Sequence, residues 1–207
     1  MRRGGRLWFA AIGTRMGLST MPCGRRASIA VRRAWHGSSE VGKAWIMDRQ
    51  QLLKQLDKAW AAIKGSYAGL SDSQLTEPGV TGHWSVKDIL GHVTTWEDEA
   101  LKYLPLILKG GRPPRYIQYG GIDAFNAQMT EQKRGLSLSD VLKQLDETHR
   151  RLIDYVQSAP EEQFTRETRF RRRLRLDTYS HYPKHAKAIR EWREQRSAGY
   201  GKFRTDA

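Results

Sequence analysis

Four stretches of this chain carry apolar residues at helical spacing, and no credible pair of strands accompanies them. Leu53, Leu56, Trp60, Ile63, Tyr67 and Leu70 advance in steps of three and four over residues 48–70, which predicts a first helix with one buried stripe. Ser71-Asp72 and Glu77-Pro78-Gly79 then interrupt the chain. A second helix opens at Trp84-Ser85-Val86-Lys87-Asp88, where Ser85 is placed to cap and Asp88 to complete a Ser-x-x-Asp capping box. It runs through Ile89, Leu90, Val93, Trp96, Ala100 and Leu104 and ends near Gly110-Gly111, with Pro113-Pro114 preventing its resumption.

Residues 110–121 are rich in Gly, Pro and Tyr and long enough to carry the chain across the end of a bundle. A short amphipathic piece from Ile122 to Lys133 follows, with Phe125 and Met129 four apart. Ser139 is then expected to cap a third helix that buries Val141, Leu142, Leu145, Leu152 and Val156 and stops at Pro160. The last stripe is Leu174, Thr178, His181, His185, Ile189 and Trp192, fading after Ser197-Ala198-Gly199. The expected fold is all-α, a four-helix bundle over residues 47–198 with a long crossover between helices two and three. No internal repeat is present at periods of 20–50 residues.

Charge separates the first 46 residues from this domain. Of the net +14, +8 lies in residues 1–46, where nine basic residues face Glu40 alone. That segment has no sustained helical stripe and is expected to be disordered. Three accounts stay open: translation starting at Met47, an organellar targeting segment, or a functional basic arm. Residues 199–207 are expected to form a disordered tail. The sole cysteine is Cys23, so the domain has no disulfide, thiolate ligand or cysteine nucleophile. No stretch approaches the roughly 20 apolar residues of a membrane span, and a cytoplasmic protein is expected.

Histidine placement supplies the candidate chemistry. His181 and His185 lie four apart on the last stripe, so on a helix both imidazoles point the same way. Replacing two core leucines by histidines forgoes about 1.5–3 kcal/mol each, a loss that metal binding offsets. His92, three after Ile89 and four before Trp96, offers a third ligand from the second helix. Pro183 opposes a continuous helix through the pair, unless it occupies a first turn, in which case the helix starts near Tyr182. His149 is better read as structural. Glu99, seven after His92 and so on nearly the same face, is the candidate for proton transfer or for supporting a ligand.

Trp84-Ser85-Val86-Lys87-Asp88-Ile89-Leu90-Gly91-His92, followed about ninety residues later by Thr178-Tyr179-Ser180-His181-Tyr182-Pro183-Lys184-His185, resembles the DinB/YfiT-like superfamily over residues 48–196. That resemblance implies a four-helix bundle with a crossover, a divalent ion such as zinc, nickel or iron on His92, His181 and His185, and often a homodimer. It also implies a thiol-S-transferase using a low-molecular-weight thiol, or a hydrolase of small molecules. The opening of the second helix is similar as well to the ClbS/DfsB branch, whose members need not keep the metal histidines. The absence of His-Glu-x-x-His and of Glu-x-x-His argues against a zincin protease and a carboxylate-bridged di-iron centre. Two rivals remain, a non-catalytic small-ligand binder and a nucleic-acid-binding protein drawing on Arg169, Arg171, Arg172, Arg173 and Arg175. With no helix-turn-helix, zinc-finger spacing or aromatic platform, nucleic acid is the weaker reading.

Overall fold

Seven α-helices form among residues 47–202, the part of the chain that the computed structural model describes, and no strand is present there beyond a single bridge between Thr81 and Trp84. The expectations for residues 1–46 lie outside the described residues, as do those for 203–207.

Helix α1 (Arg49–Tyr67) is opened by Asp48, whose carboxylate accepts the Gln51 N–H at 2.7 Å while Gln51 Oε1 accepts the Asp48 N–H. Its buried face is Leu52, Leu56, Ala59 and Ile63, with Leu53, Trp60 and Tyr67 flanking it half-buried. The stripe is thus rotated by about one residue from the expected one, because Leu52 and Leu53 both fit a three-four pattern. The Ser71-Asp72 interruption is itself a short helix, α2 (Asp72–Thr76), which delivers Leu75 to the core.

Helix α3 (Val86–Leu108) starts as expected. Ser85 Oγ accepts the Asp88 N–H at 3.1 Å, and the Asp88 carboxylate accepts the Ser85 N–H at 2.9 Å. It ends at the glycine pair for a steric reason: Gly110 has φ +82°, and a Cβ on Gly111 would lie 2.4 Å from the Leu106 side chain. The crossover holds a 3-10 turn, Tyr116–Tyr119, and then α4 (Ile122–Arg134), which buries Phe125.

Helix α5 (Leu138–Ser158) is capped by Ser137, not Ser139: Ser137 Oγ accepts the Asp140 N–H at 3.0 Å, and that spacing makes Asp140 the third residue of the helix. The last stripe is divided. Helix α6 (Arg169–Asp177) ends at Thr178, whose φ −129° and ψ −101° break the spiral, and α7 (Tyr182–Lys202) begins after a tight turn. Pro183 therefore stands in a first turn, where its missing N–H costs nothing, and α7 continues past Ala198. Helix α3 packs along α5 and α6, while α1 packs along α7. One apolar core joins them, including Leu56, Ile63, Leu90, Leu104, Leu145, Leu152 and Ile189. No described helix is long and apolar enough to cross a membrane.

Candidate metal centre

Three histidines meet where the start of α7 approaches α3. His92 projects from the second turn of α3, His181 from the turn preceding α7, and His185 from the first turn of α7. Their Nε2 atoms converge: His92 to His181 is 3.1 Å, and His185 to His181 is 2.8 Å. One nitrogen from each ring lies within 4.8 Å of the others, an arrangement able to hold a metal ion. With metal–nitrogen bonds of about 2.05 Å, ligands at right angles sit about 2.9 Å apart and tetrahedral ligands about 3.4 Å apart, so the spacings of 2.8 and 3.1 Å from His181 to its two neighbours match edges of a coordination polyhedron.

Hydrogen bonding does not satisfy this cluster. A neutral ring nitrogen has either one hydrogen or one lone pair, so His181 Nε2 can answer one of its two neighbours at a time. Burial depresses the basicity of all three rings, and each neighbouring positive charge adds to the effect. His92 is lowered well below the usual histidine value by burial, then by His185, His181 and Lys133. His181 is lowered well below it by burial and His185, although the Asp177 main-chain carbonyl acts the other way. His185 falls to about 4 through burial and Lys184. The three rings are neutral at pH 7, the state in which imidazole binds a metal. His181 Nδ1 is buried without a well-formed hydrogen bond.

Aromatic rings enclose the site. The Trp84 ring centre lies 5.0 Å from that of His92, and Trp96 lies 6.3 Å from His92 and 6.1 Å from His181. The crossover and α4 brace Trp96 through Tyr116 and Phe125 and through Asn126, whose Oδ1 accepts the indole N–H at 3.1 Å.

Glu99 does not join the histidines. Its Oε2 accepts the Tyr116 O–H at 2.7 Å and lies 3.9 Å from Arg173, beyond the Trp96 ring. Arg173 also donates to Tyr116 Oη at 2.9 Å and pairs with Asp177, whose carboxyl burial pushes up to about 7 against the pull of Arg173. His149 is buried, stacked flat on Trp60 with ring centres 3.6 Å apart, and its Nδ1 is 2.8 Å from Glu97 Oε1. It stands away from the three-histidine cluster.

Sequence reasoning passed over Glu97, which is 0% exposed and accepts hydrogen bonds from His149 and from the Tyr182 O–H. The signal was present: Leu90, Val93, Glu97, Ala100 and Leu104 form a three-four series, so a carboxylate occupies the buried stripe of α3. The arginines of α6 are engaged within the chain. Arg169 donates to the Gly110 and Gly111 carbonyls at 3.0 Å each, Arg171 to the Phe164 carbonyl at 3.2 Å, and Arg172 and Arg175 lie 3.7 and 2.9 Å from Glu167.

An all-α bundle with three converging histidines defines a class, and the sequence places the chain within it. It belongs to the DinB superfamily, whose profile matches residues 55–187 and so spans all three histidines. Among solved structures, the colibactin self-resistance protein ClbS, in complex with a dsDNA, is similar with a TM-score of 0.59 at 14% identity, covering 70% of this chain and 94% of ClbS. DfsB, a sibling lethal factor precursor, gives 0.59 at 16% identity, covering 72% and 96%. An uncharacterised protein from Escherichia coli UTI89 gives 0.60 at 15% identity, covering 73% and 95%. At these identities the likeness is one of fold alone. No curated protein matches the sequence.

Proposed function

We propose that the chain is a divalent-metal-dependent enzyme of the DinB superfamily, acting on a small molecule by hydrolysis or by transfer of a low-molecular-weight thiol. The observation that carries this reading is the convergence of three imidazole Nε2 atoms at 2.8 and 3.1 Å, where His181 Nε2 can pair with only one of its two neighbours at a time. His92, His181 and His185 would hold zinc, nickel or iron. When bound, an ion on three imidazoles supplies Lewis-acid polarisation and open coordination positions. The protein's own residues do the rest. Trp84 and Trp96 exclude water beside the ligands, and the crossover holds Trp96 in place. Glu99, tied to Tyr116 and Arg173, supports that wall rather than the reacting centre.

Elemental analysis of untagged protein tests the reading. About one ion per chain, lost in the His181→Ala/His185→Ala double variant, is expected, followed by turnover in a hydrolase and thiol-transfer screen with that ion. A folded protein that takes up no zinc, nickel or iron overturns it. Uptake without turnover favours the non-catalytic ligand binder. The ClbS structure contains a dsDNA, and α6 gives the nucleic-acid reading its residues. Those arginines are committed to carbonyls and carboxylates of this chain, which supports a structural role, and salt-sensitive dsDNA binding lost on Arg172→Ala/Arg175→Ala would reverse that judgement.

A further inference from the structure

The metal ligands come from two helices that share little direct packing. Helix α3, with His92, packs along α5 and α6, whereas α7, with His185 and preceded by His181, packs along α1. The apolar core joins both helices, and a polar tie between α3 and the start of α7 adds a directional restraint on how the histidine nitrogens approach one another. Glu97 is that tie. It lies five residues after His92 on the same helix, and its Oε1 accepts the O–H of Tyr182, the residue immediately after His181. The same oxygen accepts from His149 Nδ1 at 2.8 Å.

All four long helices meet at this point. Trp60 of α1 stacks on His149 of α5 at 3.6 Å with the planes 1° apart, and the edge of Tyr182 meets Trp60 at 5.7 Å. Glu97 and Tyr182 are both fully buried. This hydrogen bond at the first residue of α7 adds a directional restraint on the height and rotation of that helix against α3, beside its packing along α1. His181 sits in the turn just before this anchor, its backbone held by the bond from its N–H to the Thr178 carbonyl, and His185 lies one turn after it. A shift of Tyr182 along α3 would displace both ligands together and leave His92 where it is.

We infer that Glu97 and Tyr182 are positioning residues for the metal centre, setting the distance between His92 and the His181/His185 pair through the bond that joins α3 to the start of α7. The inference rests on the metal reading proposed above. Groups that orient ligands typically change metal affinity by about 10–100-fold when removed. Tyr182→Phe deletes one oxygen and keeps the packing. Glu97→Gln keeps an acceptor at the same place. Val156→Ala, a core truncation on α5 away from the triad, serves as the comparison for simple loss of stability.

Cobalt(II) is the probe, titrated into the full chain and read by its visible absorption, with thermal unfolding of the metal-free proteins recorded alongside. Tyr182→Phe is expected to weaken cobalt binding about tenfold or more and to change the intensity and position of the bands, which report ligand geometry. Glu97→Gln should recover most of the affinity. Val156→Ala should lower the unfolding temperature while keeping the wild-type affinity and spectrum. If Tyr182→Phe binds cobalt with wild-type affinity and spectrum, or if Val156→Ala weakens binding as much, the positioning role is overturned while the metal site stands. If wild type itself gives no spectrum, the metal reading fails and takes this inference with it; the two failures are told apart by the wild-type titration.

Discussion

Two clusters in this bundle contain histidine, one buried and one half-buried, and they are built on opposite principles. In the Glu97–His149–Tyr182 triad, two donors face one carboxylate oxygen, and the polar atoms that meet are chemically complementary. In the His92–His181–His185 cluster, three like nitrogens face one another, and His181 Nε2 can pair with only one of its two neighbours at a time. The first is closed at Glu97 Oε1, with Oε2 alone left without a partner, and the second is open. A buried polar group without a partner costs about 1–3 kcal/mol, and a fold that aims three nitrogens at one centre, where His181 Nε2 can pair with only one neighbour at a time, is shaped for something that comes from outside.

The comparison breaks most directly on stability in the absence of metal. Glu97→Ala leaves His149 and the Tyr182 hydroxyl buried without their acceptor, and should cost about 3–5 kcal/mol in denaturant unfolding. His92→Leu removes a ring whose one side-chain hydrogen bond is to another histidine and puts a side chain of similar size against Trp84 and Trp96, so the metal-free protein should stay within about 1 kcal/mol of wild type. Equal losses from the two substitutions would mean that the histidine cluster is structural too.

Adding metal should reverse the ranking. At an ion concentration of about 100 times Kd, the wild type should gain about 2.7 kcal/mol by binding linkage, and His181→Ala/His185→Ala should gain none. Thermal shift with zinc, nickel and iron in turn checks this and ranks the ions.

How much of this was legible in the sequence follows from what each pattern encodes. Ser85 and Asp88 announced the start of α3, because a capping box is a local interaction between residues three apart. The three histidines were visible because they interrupt apolar stripes. Pro183 even marked the break before α7, since a first turn is where proline costs a helix least. Glu97 occupied its stripe just as plainly, but its partners are Tyr182, 85 residues away, and His149, 52 residues away, and no spacing rule reports such a pairing. Ser137 and Ser139 were not separable by pattern, since either serine precedes an apolar run. Glu99 shows the limit of helical phase: seven residues after His92 gives the same face but a different height, and its carboxylate meets Tyr116 and Arg173 instead.

Acid sharpens the comparison further. His185 drops from the ordinary 6.5 to about 4 on folding, chiefly through burial. Below pH 6.5 the unfolded chain takes up a proton that the native state refuses, so this stabilisation is complete above about 6.5 and is lost as pH falls toward 4. Asp177 runs the other way: raised from 3.8 to about 7 by burial, it favours folding below 3.8 and loses that contribution as pH rises through 7. The difference between wild type and His185→Leu isolates the histidine. The variant should show a shallower fall in metal-free stability between pH 6.5 and 4, and an identical fall would contradict neutral burial of that ring.

The smallest effect belongs to Glu99, and it separates two accounts of the site. Glu99→Gln keeps an oxygen for the Tyr116 hydroxyl but loses the charge facing Arg173 at 3.9 Å and Lys102 at 3.7 Å. Arg173 retains Asp177 and three aromatic faces, Trp96, Tyr103 and Tyr116, so its guanidinium is not left uncompensated. Stability should fall by only about 0.5–1 kcal/mol, and cobalt affinity and spectrum should be those of wild type. A spectrum altered by Glu99→Gln would instead show that the carboxylate reaches the ion or a ligand once metal is bound, and would restore Glu99 as a candidate for proton transfer. Because Glu99 is tied to Tyr116 and Arg173 and lies outside the three-histidine group in the metal-free arrangement, that result would require a local rearrangement on binding, which a change in tryptophan fluorescence upon metal addition would report independently.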